Sequence, residues 1–193
     1  MKKLNFALLG CGRVSEYHAR IIKKNKYLNL YAVCDKKITK ARRIGKKFNV
    51  NYYKNYKDLI KNKGIILIED AAQSFGAKYK NLNSCNIADI SVTSFFPTKT
   101  LGSFGDGGAV FTNKKGIFQK IFFLRNHGQT KKKYIHNYVG LNARLDTIQA
   151  AILLVKNNKI KKLLRLRNLK AKNYFSKLKD NKKIILPKIM KNN

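Results

Sequence analysis

A chain of 193 residues with 44% hydrophobic content can form one ordinary domain or two small ones, and no apolar run in it is long enough for a membrane-spanning helix. Its formal charge of +34 invites a nucleic-acid reading, but the 43 lysines and arginines are spread from Lys2 to Lys191 instead of gathered on one tail. The uncharged excess of Asn and Ile points to A/T-rich coding, which argues against nucleic-acid or membrane partners. Cys11, Cys34 and Cys85 show no CxxC and no metal-ligand spacing, so they read as thiols of a reducing cytoplasm, with no metal site expected.

The start, Met1-Lys2-Lys3 followed by Leu4 to Cys11, mimics a lipoprotein signal ending Leu8-Leu9-Gly10-Cys11. The apolar run from Phe6 to Leu9 is shorter than the usual core of about 7–15 residues. The same residues read better as a strand, Leu4 to Leu9, entering Gly10-Cys11-Gly12-Arg13-Val14-Ser15. A helix pattern follows from Ser15 to Lys24, with Tyr17, Ile21 and Ile22 on one side. A second strand, Leu28 to Cys34, ends at Asp35, about 20 residues after the glycines. Strand, G-x-G-x-x-S, helix, strand and acid form the Rossmann arrangement. Gly10 and Gly12 would admit a pyrophosphate, and the helix N-terminus would favour its charge. Asp35 would accept the ribose hydroxyls, selecting NAD over NADP. The rival reading is a glycine turn that binds nothing.

Further on, strands are expected at Ile65 to Ile68, Ile87 to Phe95 and Ala109 to Thr112. Helices are expected at Lys115 to Arg125, Leu145 to Lys156 and Ile160 to Leu178. The first of these strands runs into Glu69-Asp70-Ala71-Ala72-Gln73, and the next into Ser94-Phe95-Phe96-Pro97-Thr98-Lys99, before a Gly105-Asp106-Gly107-Gly108 turn. A lysine amine, a carboxylate for a pyridinium nitrogen and a hydroxyl for a phosphate are what a pyridoxal phosphate site needs. Lys99, Asp70 and Ser94 supply them. Plainer readings make Asp70 a strand-end cap, Ser94 a solvated residue and Asn142 the cap of a helix starting near Ala143. His18, His127 and His136 lack ligand spacing, and Lys131-Lys132-Lys133 reads as a solvated loop.

The opening stretch, with Tyr17-His18-Ala19-Arg20 and Tyr53 to Ile60, resembles the start of the Gfo/Idh/MocA oxidoreductases. That family's further Rossmann strands, its Glu-Lys-Pro-type segment and its substrate domain do not follow, so hydride transfer is not expected. Residues 61–187 resemble the DegT/DnrJ/EryC1/StrS sugar aminotransferases. The likeness rests on Glu69 to Ala77, Ser94 to Lys99, Gly105 to Gly108, Arg125-Asn126-His127-Gly128 and Asn142 to Leu153. It implies that Lys99 holds pyridoxal phosphate and moves a proton, while Asp70 pairs with the ring nitrogen. It further implies that Gln73 bonds the ring hydroxyl, Ser94 contacts the phosphate, and Asn142 reaches the phosphate of a neighbouring subunit's cofactor in a homodimer. A nucleotide-sugar substrate and an amino donor, usually glutamate, come with the resemblance. The run Asn142 to Ala151 looks most like members that aminate a UDP-linked 2-acetamido-3-keto hexuronate for cell-surface polysaccharide. Alternative functions are an NAD-dependent oxidoreductase fragment and a basic nucleic-acid-binding protein.

The expected architecture is α/β: a partial Rossmann βαβ unit over 1–60 and the central part of a fold-type I aminotransferase large domain over 61–193. The Ile65 to Ile68 strand is expected to join the first sheet. The join, near Asp58 to Lys63, has no Pro/Gly/Ser linker, and each half is short of its family. This suggests two adjacent genes joined in frame, by deletion or by assembly, leaving apolar faces exposed in a cytoplasmic protein.

Overall fold

The computed structural model describes residues 3–60 and 66–187. They fall into two compact units, Met1–Ile65 and Ile66–Asn193.

The first unit alternates strand and helix: β1 (Leu4–Leu9), α1 (Ser15–Lys24), β2 (Leu28–Cys34), α2 (Ile38–Phe48), β3 (Asn51–Tyr53) and α3 (Tyr56–Ile60). The first three elements lie where the apolar periodicity puts them. The strands form one parallel sheet in the order β1-β2-β3. Phe6 pairs with Leu30 but Ala7 with Ala32, so Tyr31 is an extra residue in β2. That bulge turns the strand over. Leu30 and Val33 pack with Ala19, Ile22, Ala41 and Ile44, whereas Ala32 and Cys34 pack with Leu59. Both faces of β2 are thereby filled, as a parallel strand requires.

The second unit contains β4 (Ile68–Asp70), the hairpin β5 (Lys78–Tyr79) and β6 (Leu82–Asn83), β7 (Ile90–Ser94) and β8 (Gly108–Phe111). It continues with α4 (Lys115–Leu124), α5 (Thr147–Asn158) and α6 (Ile160–Leu178). Its main sheet has the order β4-β7-β8, with β4 parallel and β8 antiparallel to β7. Its core is small: Phe95, Leu101 and Leu153, flanked by Phe75, Ala109, Leu145 and Ile160. Large apolar side chains stay exposed on several elements, among them Phe118 of α4, Ile148 and Leu154 of α5, and Leu169 of α6.

Two expectations are corrected here. The strand expected at Ile65 to Ile68 is shifted to Ile68–Asp70 and pairs with β7, Ile68 opposite Ile90, so it is not a strand of the first sheet. Its starting residue, Ile65, lies outside the described residues, as do 61–63 of the expected join. Polar anchoring sets the register: the Ser91 hydroxyl donates to Glu69 at 2.8 Å, and the Cys85 N–H donates to the same carboxylate at 3.1 Å. The helix expected from Leu145 begins at Thr147. Just upstream, the Leu141 and Ala143 N–H groups donate to the Leu124 and Arg125 carbonyls at 2.8 and 2.9 Å, which keeps that backbone out of helix.

Candidate functional site

Strand register decides which side chains share a surface, because successive residues point to opposite faces. Asp70 pairs with Val92, Val92 with Val110, and Ser94 with Gly108. Asp70, Val92 and Ser94 therefore lie on one face, and Glu69, Ser91 and Thr93 on the other. The second face is closed: Ser91 and Thr93 are buried, and the Thr93 hydroxyl donates to the Ala71 carbonyl at 3.1 Å. The first face is open, with Asp70 exposed and Ser94 half-buried.

The protein partners of these groups leave defined capacity for a ligand. Asp70 Oδ1 accepts the Ala72 N–H at 3.1 Å, and Oδ2 has no hydrogen-bond partner among the described residues. Ser94 Oγ accepts the Phe96 N–H at 3.2 Å, so its own proton remains available to an anion. Lys99 follows on the loop that leaves β7. Its N–H donates to the Phe96 carbonyl at 2.9 Å, closing a turn through Pro97; the residue is half-buried, and its amine has no hydrogen bond or ion pair among the described residues. Gln73 is exposed on the turn after β4.

Asn142 is not brought to this sheet face by register. It is exposed in an antiparallel bridge with Asn126, and its Oδ1 accepts the Arg144 Nε–H at 2.9 Å. The cap reading fails, because α5 starts later with Asp146 at its N-cap. The bridge is tight. Gly128 has φ +72°, and a side chain there would run into the Tyr138 carbonyl.

Sequence reasoning missed Glu69, Ser103, Gln149 and Lys156 as supporting residues. Gln149 and Lys156 flank the buried Leu153 at i−4 and i+3, a helical spacing that was available as a signal.

In the first unit, Gly10 has φ +100° and donates its N–H to the Cys34 carbonyl at 2.8 Å. A Cβ at Gly12 would meet nothing within 4 Å, so the loop has an open side. Ser15 stands at the third small position of the motif and donates to the Gly12 carbonyl at 2.7 Å. Asp35 accepts the Cys11 N–H at 2.8 Å on Oδ2 and the Lys37 N–H at 2.7 Å on Oδ1. Partial burial opposes its charge, but those two N–H groups, helped by Lys40 and Lys37, hold its carboxyl below the ordinary 3.8. A depressed carboxyl adds stability above its unfolded pKa and loses it as pH falls through the folded value. Asp35→Asn is therefore expected to destabilise the first unit at pH 7 and to flatten its stability loss below about pH 4, checked by urea titrations across pH.

Burial pushes the Cys11 thiol up to about 11, with the Asp35 charge adding to the effect, so Cys11 is a core thiol and not a nucleophile. Among the described residues no cluster of three or more His, Cys, Asp or Glu is arranged to hold a metal, and no helix is long and apolar enough to cross a membrane.

The chain is similar to a UDP-2-acetamido-2-deoxy-3-oxo-D-glucuronate aminotransferase of Pseudomonas aeruginosa, with 51% identity over 116 residues that cover 60% of this chain and 32% of that protein. It is 41% identical over 124 residues to the erythromycin biosynthesis sensory transduction protein EryC1 of Saccharopolyspora erythraea, covering 64% of this chain and 34% of that one. The matched stretch thus spans about a third of the length of these curated relatives. The crystal structure of a DegT DnrJ EryC1 StrS aminotransferase from Brucella abortus superposes with a TM-score of 0.65 at 28% identity, covering 97% of this chain and 49% of that chain. The α/β architecture of this chain is that of the fold-type I aminotransferases, and pyridoxal phosphate is the cofactor consistent with it. Residues 36–193 match the sequence model of the DegT/DnrJ/EryC1/StrS aminotransferase family, and the chain belongs to that family.

Proposed function

We propose that this chain carries the pyridoxal phosphate centre of an aminotransferase acting on a nucleotide-linked keto sugar. The observation that carries the reading is the open sheet face shared by Asp70 and Ser94, with Lys99 on the loop that follows. Lys99 would be the covalent anchor for the cofactor and the base that moves a proton at the substrate carbon. Asp70, through its free oxygen, keeps the ring nitrogen protonated. Ser94 would donate a hydrogen bond to the phosphate, and Gln73 would bond the ring hydroxyl. Bound there, pyridoxal phosphate supplies an electron sink for moving an amino group. The 3-oxo position named in the Pseudomonas aeruginosa relative supports a UDP-linked 2-acetamido-3-keto hexuronate as substrate, in cytoplasmic synthesis of a cell-surface polysaccharide. Glutamate as donor, and a homodimer in which Asn142 serves the second copy's phosphate, complete the proposal.

The test is titration of the purified chain with pyridoxal phosphate, followed by borohydride reduction and peptide mapping. Attachment approaching one per chain and confined to Lys99 is the expected result. Labelling scattered over the surface lysines would overturn it.

A second reading concerns the first unit, residues 1–60, as a dinucleotide site of Gfo/Idh/MocA descent preceding the aminotransferase portion, 61–193. The φ of Gly10 and the open side of Gly12 favour it, with Asp35 toward the ribose of NAD. Calorimetric NAD titration checks it, and an absence of saturable heat would end it.

A further inference from the structure

Lys99 sits on a loop, 95–107, that closes on itself. The Phe95 N–H donates to the Gly107 carbonyl at 2.8 Å, and the Ser103 N–H to the Phe95 carbonyl at 2.7 Å. The Ser103 hydroxyl lies between the Phe95 and Gly105 carbonyls, at 2.8 and 2.6 Å. Gly102 fits only as glycine, since a Cβ there would stand 2.5 Å from the Pro97 carbonyl oxygen and 2.7 Å from that of Phe96. These bonds fix the loop's shape, but they do not tie it to the rest of the unit.

That tie comes from α5. Gln149 Oε1 accepts the Phe104 N–H at 2.9 Å, and Leu153 packs with Phe95 and Leu101. Lys156 Nζ donates to the Gly102 carbonyl at 2.6 Å and lies 4.8 Å from the centroid of the Phe104 ring. The three side chains follow one face of the helix at i, i+4 and i+7. Their chemistry matches the loop: an acceptor meets a backbone N–H, an apolar residue meets the apolar pair, and a cation meets a backbone carbonyl. The lysine contact is a charge-assisted hydrogen bond in a half-buried place, backed by an aromatic ring.

We infer that Gln149 and Lys156 are positioning residues, which clamp the 95–107 loop to α5 and thereby hold the Lys99 amine in place to capture an aldehyde-bearing cofactor. This rests on the role proposed above for Lys99.

The test uses the full chain with Gln149→Leu, Lys156→Met and Lys156→Arg. Amide hydrogen exchange of residues 99–105, without cofactor, reads the clamp itself. Loss of a charge-assisted hydrogen bond is expected to speed exchange about tenfold in Lys156→Met, with recovery in Lys156→Arg, which keeps a cationic donor. Borohydride-trapped attachment of pyridoxal phosphate at Lys99 should fall by a similar factor in Lys156→Met. The pH midpoint of the bound cofactor's visible band should move with it, which a purely structural contact would not cause. Should Lys156→Met not fold, Gln149→Leu reads the same loop through Phe104. Unchanged exchange in both variants overturns the clamp. Faster exchange with unaltered attachment and pH midpoint overturns the positioning role. Faster exchange in a chain whose wild type never attaches the cofactor strikes down both the Lys99 reading and the positioning role, leaving only a structural clamp.

Discussion

Gly128→Ala is expected to destabilise the second unit by about 3 kcal/mol or more, in the range of mutations that force a backbone out of a left-handed turn. The residue has φ +72°, and the space a Cβ would need is filled by the Tyr138 carbonyl. Neither side can yield locally. The Gly128 N–H donates to the Phe123 carbonyl at 2.8 Å, its carbonyl accepts the Asn137 N–H at 3.2 Å, and the neighbouring His127 N–H donates to Leu141 at 2.9 Å. Phe123 and Tyr138, stacked with an interplanar angle of 14°, close the same knot from the side-chain end. Opening it would also release Asn142 from its bridge with Asn126. The matched control is Gly116→Ala in α4, where an added Cβ meets nothing within 4 Å. There alanine should stabilise by about 0.5–1 kcal/mol through the smaller entropy loss on folding. Urea titration followed by circular dichroism separates the two variants, and equal midpoints would refute the account.

What the sequence revealed tracks the strength of local signals. β1, α1 and β2 are bounded by a glycine motif and an acid, and their limits are legible to the residue. Even α6 is legible, although none of its residues is buried, because its apolar spacing is regular. The β5–β6 hairpin was invisible, because its turn is Lys80-Asn81, both at positive φ, instead of the Asn-Gly or Asp-Gly pair that usually announces such a turn. Glu69 looked like a companion of Asp70 in an acidic strand end. Only the pairing with β7 shows that the two neighbours face opposite ways, one carboxylate holding Ser91 and Cys85 and the other open. The site's outline was legible because Asp70, Ser94 and Lys99 fall at strand ends close in sequence. Its support was not, because Gln149 and Lys156 act across 45 and 54 residues of chain.

Lys99→Ala is expected to abolish site-specific attachment of pyridoxal phosphate entirely, the largest single effect proposed for this chain. The difficulty is background: a chain with 35 lysines offers many amines to an aldehyde, so total labelling is uninformative. The discriminating quantity is the labelling of the Lys99 peptide at low cofactor, relative to peptides such as that of Lys131. Lys99→Arg keeps the positive charge but removes the nucleophilic amine, so it should behave as alanine does and exclude a mere charge effect. Ser94→Ala should leave Lys99 reactive and weaken cofactor capture by about tenfold, the loss of one hydrogen bond to a charged phosphate. Inorganic phosphate should compete in the wild type and much less in Ser94→Ala. Asp70→Asn should attach normally yet lose the visible signature of a protonated ring, since an amide does not stabilise that charge. The order of these effects carries the argument. Labelling of a surface lysine has no reason to respond to a serine five residues away, nor its visible band to an acid on the adjacent strand, whereas a lysine that shares a cofactor with the Asp70–Ser94 face responds to the serine in its labelling and to the acid in its band. Equal labelling of Lys99 and Lys131 in every variant would mean that the open sheet face binds no cofactor.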